Sequence, residues 1–65
     1  MLLDYTETER HHRQLRQQRD WPGIASDLEP FRTEGGRASA FALMLTALAQ
    51  FERSTEYVLP ALDQL

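Results

Sequence analysis

The feature that most constrains the fold is an apolar seam in the C-terminal part of the chain. When this part is read in sevens, eight positions fall on one helical seam and seven of them are apolar: Phe41, Met44, Leu48, Phe51, Thr55, Val58, Leu62 and Leu65. Such 3.5-residue spacing is typical of helices that pack along one another. It predicts an apolar helix over residues 37–59, which Pro60 ends or bends, and then a tail over residues 60–65. A second interpretation ends the helix earlier and lets Ser54 or Thr55 cap a last short helix.

The partner of this seam is left open between two alternatives. Six of its residues are candidates for either the core of the domain or the seam of a homodimer: Phe41, Met44, Leu48, Phe51, Val58 and Leu62. The N-terminal part of the chain offers little apolar surface to cover them, because Leu15 is the only aliphatic residue between Thr6 and Asp20. Closure within one chain and dimerisation are therefore equally compatible with the sequence.

The N-terminal segment, residues 4–20, is predicted to be a polar helix. Capping-box spacings from Asp4 and from Thr6 offer two alternative first turns. Pro22 disfavours helical geometry in the residue before it, which places the end of the helix near residue 20. The residues of this helix that can share one face are Tyr5, His12 and Leu15.

Residues 22–34 are predicted to form a connector that is either irregular or a short helix. Apolar residues recur there every three or four positions and make one stripe that can lie across a neighbouring helix: Trp21, Ile24, Leu28 and Phe31. Two adjacent glycines, Gly35 and Gly36, then interrupt helical continuity. The whole pattern predicts an all-α fold: a single small domain over residues 1–65, with two main helices and a short connecting helix or turn.

Composition narrows the functional classes. The chain has 65 residues, with ten acids, seven arginines and a net charge of −3, which argues against direct nucleic-acid binding. It contains no cysteine, so disulfides, thiolate zinc sites and cysteine nucleophiles are excluded. The longest apolar run is shorter than the ~20 residues of a membrane span, and the start of the chain lacks the pattern of a signal peptide. These features predict a cytoplasmic protein that does not bind membranes.

Residues with catalytic or metal-binding potential are few. His11 and His12 are adjacent, so on a helix they point about 100° apart and cannot chelate one ion well. The serines lie outside any nucleophile motif, and the paired glycines lack the flanking pattern of a phosphate loop. We therefore expect no catalytic residue, no metal, no cofactor and no small-molecule substrate.

Charged residues form two opposed features. The first helix carries four arginines at three-residue spacing, which would suit a helix that binds nucleic acid but also suits a solvated face: Arg10, Arg13, Arg16 and Arg19. Residues 20–65 carry seven acids against three arginines. Within this part, Glu52 and Glu56 lie four residues apart on one helix face, where like charges repel each other and would favour a basic partner.

In length, acidity, helical content and the use of arginine without lysine, the chain resembles the small proteins with which phages and mobile elements disarm host defences. It is most similar in character to the anti-CRISPR proteins that act on type I effector complexes, the type I-C group in particular. Several of those proteins imitate the negative surface of DNA. The resemblance implies a non-enzymatic inhibitor that binds the basic groove of a large host nucleoprotein complex and blocks its binding of target DNA.

Carried over to this sequence, the resemblance makes six acids candidate contacts: Asp20, Asp27, Glu29, Glu34, Glu52 and Glu56. The chain departs from a strong DNA mimic in its modest net charge and in the arginines of its first helix. Two other functions follow from the residues alone. One is a dimeric helical adaptor of an antitoxin-like, regulatory kind, built on the apolar seam. The other is a nucleic-acid binder led by the arginine-rich helix.

Overall fold

The protein is built from three α-helices. A computed structural model describes the backbone of residues 3–63 and the side chains of residues 3–56 and 62. The helices are α1 (Tyr5–Gln17), α2 (Trp21–Glu34) and α3 (Gly36–Asp63), and the described part of the chain contains no strand. The all-α prediction is confirmed. The predicted connector, residues 22–34, is helical throughout, which was one of its two alternatives. The helix that contains it, α2, is one residue longer than α1, so the fold has three helices rather than two main helices and a short connection.

Short polar residues and glycines determine where the helices begin. Asp4 caps α1 by accepting a hydrogen bond from the backbone N–H of Glu7 (2.9 Å), which settles the choice between the two predicted first turns. Asp20 caps α2 in the same way, accepting from the N–H of Gly23 (3.0 Å). Gly35 joins α2 to α3 with a φ of 85°, a left-handed value that glycine adopts without strain.

The observed helix ends differ from the predicted ones in two places. The first helix ends at Gln17 rather than residue 20, because Asp20 is used to cap α2 and Pro22 occupies the first turn of that helix. The third helix has no break at Ser54 or Thr55 and continues past Pro60 to Asp63. A proline removes one backbone donor and bends a helix, and here it falls within the last turn, where few hydrogen bonds follow it.

The core lies between α2 and the first half of α3. Ile24, Leu28 and Phe31 of the apolar stripe of α2 are buried, with Leu28 fully inaccessible to solvent, and Trp21 is partly buried. It packs against a face of α3 that consists mostly of small residues: Ala38, Ala42, Leu45 and Ala49. Helices can approach more closely where the contacting side chains are small. From α1 the core receives Leu15, and His12 is also buried.

Three aromatic rings fasten the N-terminal end of α1 to the other two helices. The ring of Tyr5 meets those of Phe31 and Phe41 edge-on, with centroids 5.2 and 4.8 Å apart, and the latter two rings lie 5.1 Å from each other. Edge-to-face pairs of this kind add about 0.5–1.5 kcal/mol each beyond the area they bury. This cluster fixes where α1 crosses the turn between α2 and α3.

The apolar seam predicted from the sequence is not the core of this chain. Met44, Leu48, Phe51 and Leu62 are exposed, and among the predicted residues whose side chains are described only Phe41 packs against the core. The side chain of Val58 lies outside the described residues. The reason is that α2 packs on the alanine-rich face, which is roughly 120° around the helix from the seam. The alternative, that these residues form a homodimer seam, stays a prediction.

The molecule is elongated because α3 is twice as long as either neighbour. Its 28 residues span about 42 Å. The overall extents are 50 × 20 × 17 Å, and the radius of gyration is 13.6 Å, against about 11 Å for a compact domain of this length. The long helix therefore offers surface that the two short helices do not cover.

Candidate functional site

Two of the predicted acidic contacts are engaged by the predicted arginine cluster. The carboxylate of Glu52 accepts a hydrogen bond from the guanidinium of Arg16 at 3.0 Å, and Glu56 pairs with Arg19 one turn further along. The Arg16 side chain is only 13% exposed, so its pair is partly withdrawn from water. These pairs join α1 and the connection that follows it to the second half of α3, and they neutralise Arg16, Arg19, Glu52 and Glu56 where they meet.

The other four predicted acids are spread along α2. Asp20 caps the helix, and Asp27 lies 3.2 Å from the Nδ1 atom of His11 on α1. Glu29 pairs with Arg32, one turn later in the same helix, at 3.1 Å. Glu34 is exposed and ends the helix, about 20 Å from its beginning. The structure therefore does not bring the six acids together as one continuous surface.

The two remaining arginines of the first helix are exposed. Arg10 pairs with Glu7 at 3.4 Å, and together with Arg13 it borders a shallow, open hollow on α1. Because Arg16 and Arg19 point to α3, the four arginines do not form one free basic face. Inhibition through an acidic surface and nucleic-acid binding through the arginine helix both stay predictions, and neither gains geometric support from these contacts.

A buried histidine links α1 to the core of the protein. The side chain of His12 is 1% exposed, and its Nε2–H donates a hydrogen bond to the backbone carbonyl of Leu45 at 2.9 Å. The Nδ1 atom meets no hydrogen-bond partner among the described residues. Burial lowers the pKa of His12 below its ordinary value of 6.5, and the positive charge of Arg16 acts in the same direction. The Leu45 carbonyl, Glu52 and Asp27 oppose the shift only in part.

Acid is expected to destabilise the fold through His12. Its pKa is lower in the folded than in the unfolded chain, so the unfolded chain binds the proton more tightly and is favoured as the pH falls below 6.5. Denaturant melts at a series of pH values should show a loss of unfolding free energy that begins near that pH. The loss should shrink in His12→Gln and persist in the control His11→Gln. An equal acid response in His12→Gln and the wild type would contradict this role.

Side chains that could bind a metal ion do not cluster in the described part of the chain. No group of three or more histidine, aspartate or glutamate side chains there is placed to hold a metal ion. An open groove of about 190 Å³ runs between α2 and α3. Its lining is mixed and carries one charged side chain: Trp21, Ala25, Thr46, Ala49, Gln50 and Arg53.

The most prominent surface feature is a row of exposed apolar side chains on the side of α3 away from α2, here called the outer face. Its described members are Met44, Leu48, Phe51 and Leu62, which are 65%, 39%, 67% and 55% exposed. Leu43 is 71% exposed beside this row but off its 3.5-residue spacing. Clustered exposed apolar side chains, such as those from Met44 to Phe51, mark sites of protein association in soluble proteins.

The outer face is also free of charged side chains as far as Phe51. Residues 38–51 contain no charged side chain, so this part of α3 is apolar on both its core side and its outer side. The helix α3 can bury only one of these sides against α2. The sequence of α3 therefore contains more apolar residues than packing against α2 requires, and this excess is the sequence signal for the outer face. None of the described helices combines the length and the apolarity needed to cross a bilayer.

Comparison of the chain with protein-family models, with curated proteins and with solved structures finds no match.

Proposed function

We propose that this protein is a non-enzymatic helical adaptor that acts by protein–protein contact and assembles as a dimer through the outer face of α3. The observation that carries this proposal is the exposure of Met44 and Phe51, each about two-thirds accessible, on the seam of a 28-residue helix. Full burial of a side chain of this size contributes about 1.5–3 kcal/mol. A folded chain that leaves several of them in water gains free energy by covering them.

The distribution of charge supports an apolar rather than an electrostatic mode of binding. Two members of each predicted charged cluster are already paired with each other, Arg16 with Glu52 and Arg19 with Glu56. Opening these pairs for a charged partner would leave the mostly buried Arg16 without a carboxylate, which is costly. Covering the outer face requires no such rearrangement.

The proposal is tested by thermal unfolding at different protein concentrations. If the folded form is a dimer and the unfolded form is not, the melting temperature rises with concentration. For two chains of 65 residues, a hundredfold increase should raise it by about 10 °C. High salt should leave the rise intact, because apolar contacts are not screened as exposed ion pairs are. A melting temperature independent of concentration would contradict the proposal.

A further inference from the structure

We propose that the outer face of α3 is covered by the outer face of α3 of a second copy of this chain. The two helices lie side by side, antiparallel, and overlap along their full length. This inference rests on the dimer proposed above and adds its orientation and register. In this arrangement a residue of one α3 faces a residue of the other α3 when their two residue numbers add up to 99. Met44 then lies over Thr55 of the second copy, and Leu48 lies over Phe51.

The spacing of the seam and the length of α3 together set this register. Seam positions alternate between intervals of three and four residues, and in an antiparallel pair each layer joins one position of either kind. Met44 with Thr55, and Leu48 with Phe51, form such layers, and each pair of numbers adds to 99. Gly36 and Asp63, the two ends of α3, have the same sum. Registers whose sums differ from 99 by seven also stack seam positions, but the sum of 99 is the one that overlaps the two helices completely.

The charges of α3 favour the antiparallel orientation. The first half of the helix carries one arginine, Arg37, and no acid. The second half carries one arginine and three acids, two of which, Glu52 and Glu56, are already paired with arginines of the N-terminal part of the chain. The difference between the two ends of α3 therefore comes from Arg37, Asp63 and the helix dipole. The helix dipole adds positive charge at the first end and negative charge at the other, and α3 has no acid in its first turn and no base in its last. An antiparallel second copy sets the positive end of each helix beside the negative end of the other. A parallel second copy would place the two positive ends beside each other and the two negative ends beside each other.

The available area matches what a second copy of this helix would bury. The outer half of a helix 42 Å long and about 11 Å wide has an area of about 700 Å². Stable interfaces of ordinary size take about 800 Å² from each partner. An area of about 800 Å² is about a sixth of the 5034 Å² of accessible surface of the chain. One copy of α3 therefore covers the outer face along its length without any further element.

Cysteine pairs test the orientation, because the chain contains no cysteine of its own. Met44→Cys and Thr55→Cys are oxidised separately and as an equal mixture. The antiparallel register predicts a mixed disulfide in the mixture and little linkage in either variant alone. Two copies of position 44 would be eleven residues of helical rise apart, about 16 Å, whereas a disulfide joins Cα atoms about 4.4–6.8 Å apart. Leu43→Cys mixed with Thr55→Cys is the control and should not link.

The outcomes separate this inference from the function on which it rests. Efficient linkage of Met44→Cys with itself would overturn the antiparallel orientation and leave the dimer standing. Absence of linkage in a protein that sediments as a dimer would show that another face is used. Absence of linkage in a protein that sediments as a monomer would overturn both. The mass of each reduced variant is first measured by sedimentation. If a variant no longer assembles, the pair Arg37→Cys and Leu62→Cys replaces it, because these two residue numbers also add up to 99.

Discussion

Replacing Phe51 with glutamate is expected to convert the dimer to a folded monomer. Phe51 is 67% exposed at the middle of α3, so the substitution does not disturb the core of the chain. In the dimer it would place two carboxylates between apolar side chains, and the loss of burial and the cost of desolvation add. We expect the dissociation constant to rise by at least about 100-fold. Size-exclusion chromatography with light scattering measures the mass, and circular dichroism checks that the helices remain.

Leu43→Glu is the matched control for this substitution. Leu43 is as exposed as Phe51 and lies on the same helix, but it is off the seam. The same charge placed there should leave the dimer intact. If both variants dissociate equally, the effect is one of net charge rather than of the outer face. If neither dissociates, the outer face is not the interface.

Leu28→Ala is expected to destabilise the chain more than any other truncation of a leucine in α2 or α3. Leu28 is fully buried between α2 and the alanine-rich face of α3. Truncating a buried leucine costs about 2–5 kcal/mol, and close packing on all sides leaves the cavity little room to collapse. A domain of this size has about 3–10 kcal/mol of stability in total. A loss of about 3 kcal/mol should lower the melting temperature by about 12–24 °C.

Leu43→Ala serves as the comparison for this prediction. It removes the same atoms from an exposed position, so its effect on the unfolding free energy should stay within about 0.5 kcal/mol. Chemical denaturation of both variants measures the difference directly. Similar losses in the two variants would mean that the core does not lie between α2 and α3 as described.

Most of the local structure follows from short-range chemistry that the sequence displays. The stripe of α2 that includes Ile24, Leu28 and Phe31 is the buried stripe of the structure. The face shared by His12 and Leu15 is the buried side of α1. The capping position of Asp4 was one of two readable alternatives, and the break at Gly35 is where α2 gives way to α3. These features depend on neighbours within one or two helical turns.

What the sequence left undetermined depends on which surfaces meet. The seam through Met44 and Phe51 shows that one side of α3 suits packing against a helix, but it does not tell whose helix. The alanines at 38, 42 and 49 are less conspicuous than the seam, yet their small size lets α2 approach on that side. A stripe of small residues and a stripe of large ones on the same helix compete, and sequence patterning alone does not rank them.

The charged residues show the same limit. Arg16 and Glu52 are 36 positions apart, so no spacing rule connects them, and their pairing follows from the crossing of α1 over α3. Seen along the chain, each belongs to a cluster of one sign and suggests a charged partner. Once the helices are assembled, two arginines of one cluster pair with two acids of the other, and the apolar side chains of the outer face remain exposed.

Sedimentation equilibrium of the wild-type protein is the decisive test of the dimer, because it measures the mass in solution without a label or a substitution. At high salt and over about a hundredfold range of concentration, a self-covering outer face predicts a mass approaching twice the 7.5 kDa of one chain. A mass of 7.5 kDa throughout that range would mean that α3 leaves its apolar row open to water, and the account would be contradicted.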